Sequence, residues 1–358
     1  LHRRRHSFPT RRSSDLSFTG SEVGTISDGT STTSFSQIEL FALGSGNDIV
    51  TGGVGNDSVD AGAGNDSMSG GAGNDTLTGG TGNDTLDGGA GNDILGGGAD
   101  IDTIYGGDGD DLIYGADSLN SSNTADTLYG GAGNDTLYAT DGAGLTPGSY
   151  LDGGAGTDLM FGSDGNDTLD GGGGADFSAD TIYGGAGSDL VFGGFSGQDL
   201  LYGGTGNDTL AGGFDIDTLY GGDGDDLIYG SDNGSGSNAQ DTLYGGLGND
   251  TLIAADGPGL TIGSYLDGGQ GGDVLRGSDG NDTLDGGAGN DTIDGGDGND
   301  SIMAGDGDDR INLIGSFGND TIIGGESAET AGDSVNATAL TANTTLNFTG
   351  SEAGSISD

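Results

Sequence analysis

Aspartates recur in this chain with a period of nine. Asp48, Asp57, Asp66, Asp75, Asp84, Asp93, Asp102 and Asp111 follow one another without a slip. The series resumes, with a few longer steps, at Asp126, Asp135, Asp158, Asp167, Asp180, Asp189, Asp199, Asp208, Asp217, Asp226, Asp241, Asp250, Asp273, Asp282, Asp291, Asp300, Asp309 and Asp320. Asp176 competes with Asp180 for one slot. Many of these residues close a Gly-Gly-x-Gly-Asn/Asp-Asp hexapeptide, as in Gly70–Asp75, and others close a near variant of it. A carboxylate offers hard oxygens and a negative charge, which suits a hard cation. The repeat accounts for most of the chain's carboxylates, which leaves catalysis little to stand on.

Something must hold these acids in register. With Asp numbered as position 6, three glycines in the first four positions permit positive φ and make a tight turn. Position 8 is aliphatic in unit after unit: Val50, Val59, Met68, Leu77, Leu86, Leu95, Ile104 and Ile113 open the series. Positions 7 to 9 therefore read as a short strand with position 8 on one face. Two turns and two strands make one coil of eighteen residues. The expected fold is all-β: a parallel β-roll, a right-handed solenoid of two sheets with position 8 inside. Consecutive turns fall on opposite edges, so Asp48, Asp66, Asp84 and Asp102 share one edge and Asp57, Asp75, Asp93 and Asp111 the other. Stacking brings carboxylates to roughly 5 Å, the strand spacing.

Bare carboxylates at that spacing repel, and the composition sharpens the point. The chain has 58 acidic residues against 7 Lys+Arg, a formal charge of -51, 85 glycines and only 30% hydrophobic residues. Such a chain stays unfolded alone. A cation must join it before it compacts, and nucleic acid is excluded as a partner by sign. There is no Cys, and the only histidines are His2 and His6. Oxygen ligands on flexible turns point to multiple Ca²⁺ ions rather than Zn²⁺ or copper. Mg²⁺, which demands a strict octahedron and dehydrates reluctantly, fits less well. The expected behaviour is disorder without calcium and a rigid roll with it. No apolar run is long enough for a membrane span.

The organisation is modular. Arg3, Arg4, Arg5, Arg11 and Arg12 crowd the opening segment, and only Arg276 and Arg310 follow. Ser7–Leu16 resembles the translation of a sequencing-adapter oligonucleotide, which sets residues 1–16 outside the fold. Residues 17–43 form a lead-in without the repeat, 44–172 a first block of β-roll and 173–325 a second. Residues 326–358 again lack the repeat; Phe18-Thr-Gly-Ser-Glu returns there from Phe348, as if a further unit begins and is cut short. Residues 97–172 recur as 212–287 with their irregularities copied: the long step Asp135 to Asp158 returns as Asp250 to Asp273. The middle of that step is degenerate but keeps a strand, at Tyr150-Leu151-Asp152 and Tyr265-Leu266-Asp267. Insertions are thus expected in turns.

The nonapeptide Gly-Gly-x-Gly-x-Asp-x-aliphatic-x resembles the repeats-in-toxin, or hemolysin-type, calcium-binding repeat, over about Gly44 to Gly325. The resemblance implies a calcium-bound parallel β-roll, export from a Gram-negative bacterium by type I secretion machinery, and folding outside the cell. It also implies that the position-6 aspartates supply side-chain ligands shared between turns two repeats apart. Gly97-Gly-Ala-Asp100-Ile-Asp102 and Gly212-Gly-Phe-Asp215-Ile-Asp217 depart from the pattern by lacking the position-4 glycine. Weak binding or none is expected at those turns.

Other patterns have plainer explanations. Asn-Asp-Thr triplets such as Asn74–Thr76 match a glycosylation site but belong to the turn grammar. A tyrosine series at position 9 (Tyr105, Tyr114, Tyr129, Tyr138, Tyr183, Tyr202, Tyr220, Tyr229, Tyr244) is expected to face outward and pack across neighbouring strands. Thr81 and Thr205 at position 3 are too few for an ice-binding rank of threonines. Neither His-Glu-x-x-His nor Gly-x-Ser-x-Gly occurs, so no enzyme is expected within the chain. The leading expectation is a calcium-binding structural module of a secreted or cell-surface, adhesin-like bacterial protein, its receptor unspecified. The alternative is the C-terminal module of a type I-secreted protease or lipase. A Gly-rich disordered linker is disfavoured, because a linker needs no inward face.

Overall fold

The computed structural model describes residues 15–18, 23–27, 32–36, 41–116, 124–140, 148–173, 177–230, 240–254, 263–313, 318–325, 332–336, 347–348 and 355–357. Among them every regular element is a strand. The chain divides into two compact units, Leu1–Thr168 and Leu169–Asp358.

In the first unit, nine-residue repeats alternate between two parallel sheets, so each strand pairs with the strand two repeats away. One sheet runs through Ile49–Gly53, Ser67–Ala72, Thr85–Ala90, Thr103–Asp108, Thr127–Ala132 and Tyr150–Ala155. The other runs through Phe41–Ala42, Ser58–Ala63, Thr76–Thr81, Ile94–Ala99, Leu112–Tyr114, Thr136–Tyr138 and Leu159–Ser163. This is the parallel β-roll expected from the period. Position 8 fills the space between the sheets: Leu86, Leu95, Ile104, Ile113, Leu128, Leu137 and Leu151 are fully buried. Alternation does this locally, because a strand turns successive side chains to opposite faces.

Ahead of the roll, Asp15–Phe18, Val23–Ser27 and Thr32–Ser36 form an antiparallel meander. Its first strand pairs in parallel with Ile49–Gly53, Leu16 opposite Val50. An end coil exposes unpaired backbone groups, and an appended strand covers them. Asp15 and Leu16 thus lie in a strand. The rest of the expected leader, 1–14, lies outside the described residues.

The second unit has the same architecture. One sheet runs from Thr181–Ala186 through Leu200–Thr205, Thr218–Asp223, Thr242–Leu247, Tyr265–Gln270, Thr283–Asp285 and Ser301–Met303 to Thr321–Ile323 and Asn347–Phe348. Its partner runs from Leu190–Phe192 through Thr209–Ala211, Leu227–Tyr229, Thr251–Ile253, Val274–Asp279, Thr292–Asp297 and Arg310–Asn312 to Ser334–Asn336 and Ser355–Ser357. Ile182, Leu201, Leu219, Ile228, Leu243 and Leu266 are fully buried between the sheets, and Val335 keeps 6% exposure near the end.

The longer steps do not disturb the register. Thr103 pairs with Thr127 as Thr85 pairs with Thr103, although the first step carries extra residues. The extra residues of that step fall in the sequence between Leu112–Tyr114 and Thr127–Ala132.

Outward tyrosines stack along the strands. Tyr183, Tyr202, Tyr220 and Tyr244 form a ladder with ring centroids 4.7 to 4.9 Å apart and planes within 7°. Tyr105–Tyr129 and Tyr114–Tyr138 stack at 5.0 and 5.1 Å in the first unit. The in-register parallel pairing of identical residues produces this spacing. Among the described residues no helix is long and apolar enough to cross a membrane.

Candidate metal centre

The turns place position-6 aspartates in files along both edges of each unit. Along most of each file the backbone N–H of one Asp donates to Oδ1 of the next, one coil further on. On one edge of the first unit Asp48, Asp66, Asp84, Asp102 and Asp126 follow in this way at 2.7 to 2.8 Å. On the other edge the file is Asp57, Asp75, Asp93, Asp111, Asp135 and Asp158, at 2.6 to 2.8 Å. In the second unit Asp180, Asp199, Asp217 and Asp241 follow one another, and Asp282, Asp300 and Asp320 continue that edge. Opposite them run Asp189, Asp208, Asp226, Asp250, Asp273, Asp291 and Asp309. Each carbonyl is used too, as where Thr103 N–H donates to Asp84 O at 2.9 Å.

The carboxylates are inside the turns, not on their surface. Asp102 and Asp217 are 0% exposed, and the other position-6 aspartates named above are nearly as buried. Asp57 is the exception: it is half-buried, and its Oδ2 accepts Gly53 N–H at 3.1 Å. Asp176 lies outside the described residues.

Glycine makes room for this burial. A β-carbon on Gly97, at position 1, would collide with Oδ2 of Asp102 and with the carbonyl oxygen of Gly115 in the next coil. Gly82, at position 4, has φ +113°, and a β-carbon there would collide with the carbonyl of Gly64 one coil earlier. Each turn thus packs its carboxylate against glycine carbonyls of neighbouring coils, in a space lined by oxygen.

The second carboxylate oxygen is left over. In the first unit Oδ2 of Asp66, Asp75, Asp84, Asp93, Asp102, Asp111 and Asp135 is buried with no hydrogen-bond partner. The same holds for Asp208, Asp217, Asp226, Asp250, Asp273, Asp291, Asp300 and Asp320 in the second. Burying an unpaired carboxylate is costly, and without a cation the group responds by holding its proton. Burial accordingly pushes Asp102 up to about 8 and Asp217 up to about 9. Asp75, Asp84, Asp111, Asp250 and Asp300 rise to about 7. Asp135, Asp208, Asp226 and Asp273 rise to about 6. In each case the N–H bond from the neighbouring coil opposes the rise, and nearby carboxylates reinforce it in most.

These observations fit a hard dication. The leftover donors are oxygens, buried and negative, and repeat along each edge. Among the described residues no group of three or more Asp, Glu, His or Cys side chains is gathered to hold an ion. The oxygens that the turns do bring together are paired carboxylates of successive coils and glycine carbonyls, a donor set that suits Ca²⁺.

Three residues join the files without belonging to the nine-residue aspartate series. Ser149 follows Asp126 and precedes Asp167. Ser264 follows Asp241 and precedes Asp282. Asp333 follows Asp309 at 3.1 Å, with Val335 inside at position 8. Ser-Tyr-Leu and Asp-Ser-Val do carry the position-6 to position-8 pattern, but no glycine turn of the right length announces them. Asp100 and Asp215, the substitutes for position-4 glycine, take positive φ of 78° and 79°. The files pass through those turns unbroken at Asp102 and Asp217.

The sequence matches the family described as RTX calcium-binding nonapeptide repeat (4 copies) over residues 43–77, 69–103, 97–118, 115–145, 150–177, 178–201, 202–234, 229–258, 267–302, 288–313 and 303–330. These segments cover most of the chain. No curated protein matches it.

Proposed function

Because the chain belongs to the RTX calcium-binding nonapeptide repeat family and is a calcium-binding structural repeat module, we propose that at neutral pH its two β-roll units fold only as calcium fills the turns. The observation that carries this reading is the file of buried Oδ2 atoms with no hydrogen-bond partner. When bound, calcium supplies positive charge and accepts oxygen lone pairs between those carboxylates. The chain's own contribution is geometric. Glycine turns bring the carboxylates inside, Oδ1 is held by the adjoining coil's N–H, and Oδ2 is left free to face the ion. The aspartates named above for their unpaired Oδ2 are the proposed side-chain ligands, together with the other position-6 aspartates apart from Asp167 and Asp282, whose two oxygens both accept backbone N–H groups. Binding energy is then folding energy.

The setting that suits this chemistry is extracellular, where calcium is plentiful. We place the chain in a secreted or cell-surface protein of a Gram-negative bacterium, exported before it folds by a type I system. Its role there is structural and adhesin-like rather than catalytic. Duplication of a long segment within the chain supports a repetitive architecture of that kind.

The test is far-UV circular dichroism of the whole chain, stripped with EGTA and titrated with CaCl₂, with MgCl₂ as control. A cooperative coil-to-β transition with calcium and none with magnesium is the expected result. A spectrum unchanged by calcium overturns the proposal.

A further inference from the structure

In each unit one rung of a carboxylate file is a serine, and the rung is satisfied by the protein itself. Ser149 is buried; its Oγ accepts Asp126 N–H at 2.8 Å and its own N–H donates to Asp167 Oδ1 at 2.6 Å. Ser264 repeats this between Asp241 and Asp282, at 3.0 and 2.7 Å. The serines thus keep the hydrogen-bond ladder while removing the charge.

A second substitution lies on the same edge, one coil on. Position 2, normally glycine, is Ser163 in one unit and Ser278 in the other. Ser163 N–H donates to Asp167 Oδ2 at 2.8 Å, and Ser278 N–H to Asp282 Oδ2 at 2.9 Å. Both oxygens of these two carboxylates therefore accept backbone N–H groups, whereas Oδ2 of Asp84 or Asp102 has no donor. Two N–H bonds satisfy both oxygens of each carboxylate without a metal.

We infer that the rungs at Ser149 and Ser264 take no calcium, so that the file of ions on that edge is interrupted in each unit by a turn held by hydrogen bonds in place of an ion. The inference rests on the calcium reading above. A gap between two coils needs two carboxylates to balance one dication. The gaps on either side of Ser149 have one each, and a neutral hydroxyl already engaged as an acceptor adds no charge. The opposite edge keeps carboxylates throughout the same coils, Asp135 to Asp158 and Asp250 to Asp273.

The test is a count of bound calcium per chain, by equilibrium dialysis and elemental analysis, on wild type and two double variants. Ser149→Asp with Ser264→Asp should bind more ions than wild type. Ser149→Ala with Ser264→Ala should bind as many as wild type while melting at lower temperature, because it loses a hydrogen bond but no ligand. The inference is overturned if the alanine variant, still folded by circular dichroism, binds fewer ions, or if the folded aspartate variant binds no more. Should the aspartate variant not fold, the alanine count decides alone. A wild type that takes up no calcium refutes the parent reading instead.

Discussion

The backbone N–H of Asp84 donates to Oδ1 of Asp102 at 2.7 Å, one coil away, while Oδ2 of Asp102 is buried without a donor. The two oxygens of one carboxylate therefore do different work. One fixes the stacking of coils; the other waits for a cation. Replacement at this residue separates the two roles.

Asp102→Asn keeps an Oδ1 acceptor for Asp84 N–H but loses the charge. It should lower the calcium-dependent rise in melting temperature while leaving the roll formed at saturating calcium. Asp102→Ala additionally orphans the buried N–H and should cost a further ~1–3 kcal/mol. Asp60→Asn, at an exposed outward position, should change neither. Calorimetry across a calcium series checks all three, and equal effects of Asn and Ala would remove the proposed division of labour.

The raised carboxyls set a direction for pH in the calcium-free chain. Their folded values, about 6 to 9 in the cases given, lie above the unfolded value of ~3.9. A group raised on folding stabilises the fold fully below its unfolded value and ceases to do so as pH climbs through its folded value. Acid should thus favour the metal-free roll near pH 4, with the benefit lost progressively from there up to about pH 9 as each group passes its folded value. Circular dichroism with analytical ultracentrifugation of metal-stripped protein across that range is the measurement; a metal-free chain equally unfolded at both ends contradicts it. With calcium present the trend should reverse, since ions and protons compete for the same oxygens.

Gly82→Ala should destabilise the calcium-loaded protein by at least ~1–3 kcal/mol, although the same replacement at an ordinary φ stabilises a fold. Its φ of +113° strains any L side chain, and the new β-carbon meets Gly64 O. Thermal melting at saturating calcium, against an Ala72→Gly control, reads the effect. A neutral Gly82→Ala would mean that the turn relaxes around the methyl group.

Tyr220 stacks between Tyr202 and Tyr244 at 4.9 and 4.7 Å. Tyr220→Ala removes both contacts and should cost ~1–3 kcal/mol, at ~0.5–1.5 kcal/mol for each aromatic pair. Tyr220→Phe keeps the rings and should be nearly neutral. Bound calcium should be unchanged in either, because the ladder faces away from the turns. Melting curves with parallel ion counts distinguish a stacking role from an indirect effect on the ion sites.

What could be read without coordinates followed from local rules. Alternation at Thr76-Leu77-Thr78 announces a strand with Leu77 inside, and Gly79-Gly80-Thr81-Gly82 announces the next turn. Strict recurrence of the two implies coils, parallel pairing and files of aspartate on opposite edges. Each signal spans a few neighbouring residues, and steric limits on the backbone and the pleat of a strand act over that same distance. Asp333 and the serines at 149 and 264 escaped because the turns before them are irregular, and their place depends on a partner 18 to 24 residues away. The same is true of the division between carboxylate oxygens. Which oxygen meets an N–H, and which is buried alone, is decided only when coils stack in register, since the donor belongs to another coil and burial comes from glycine carbonyls on neighbouring coils. The sequence by itself determined the repeating unit and its inward face; the tertiary structure decided which charges are left for calcium to neutralise.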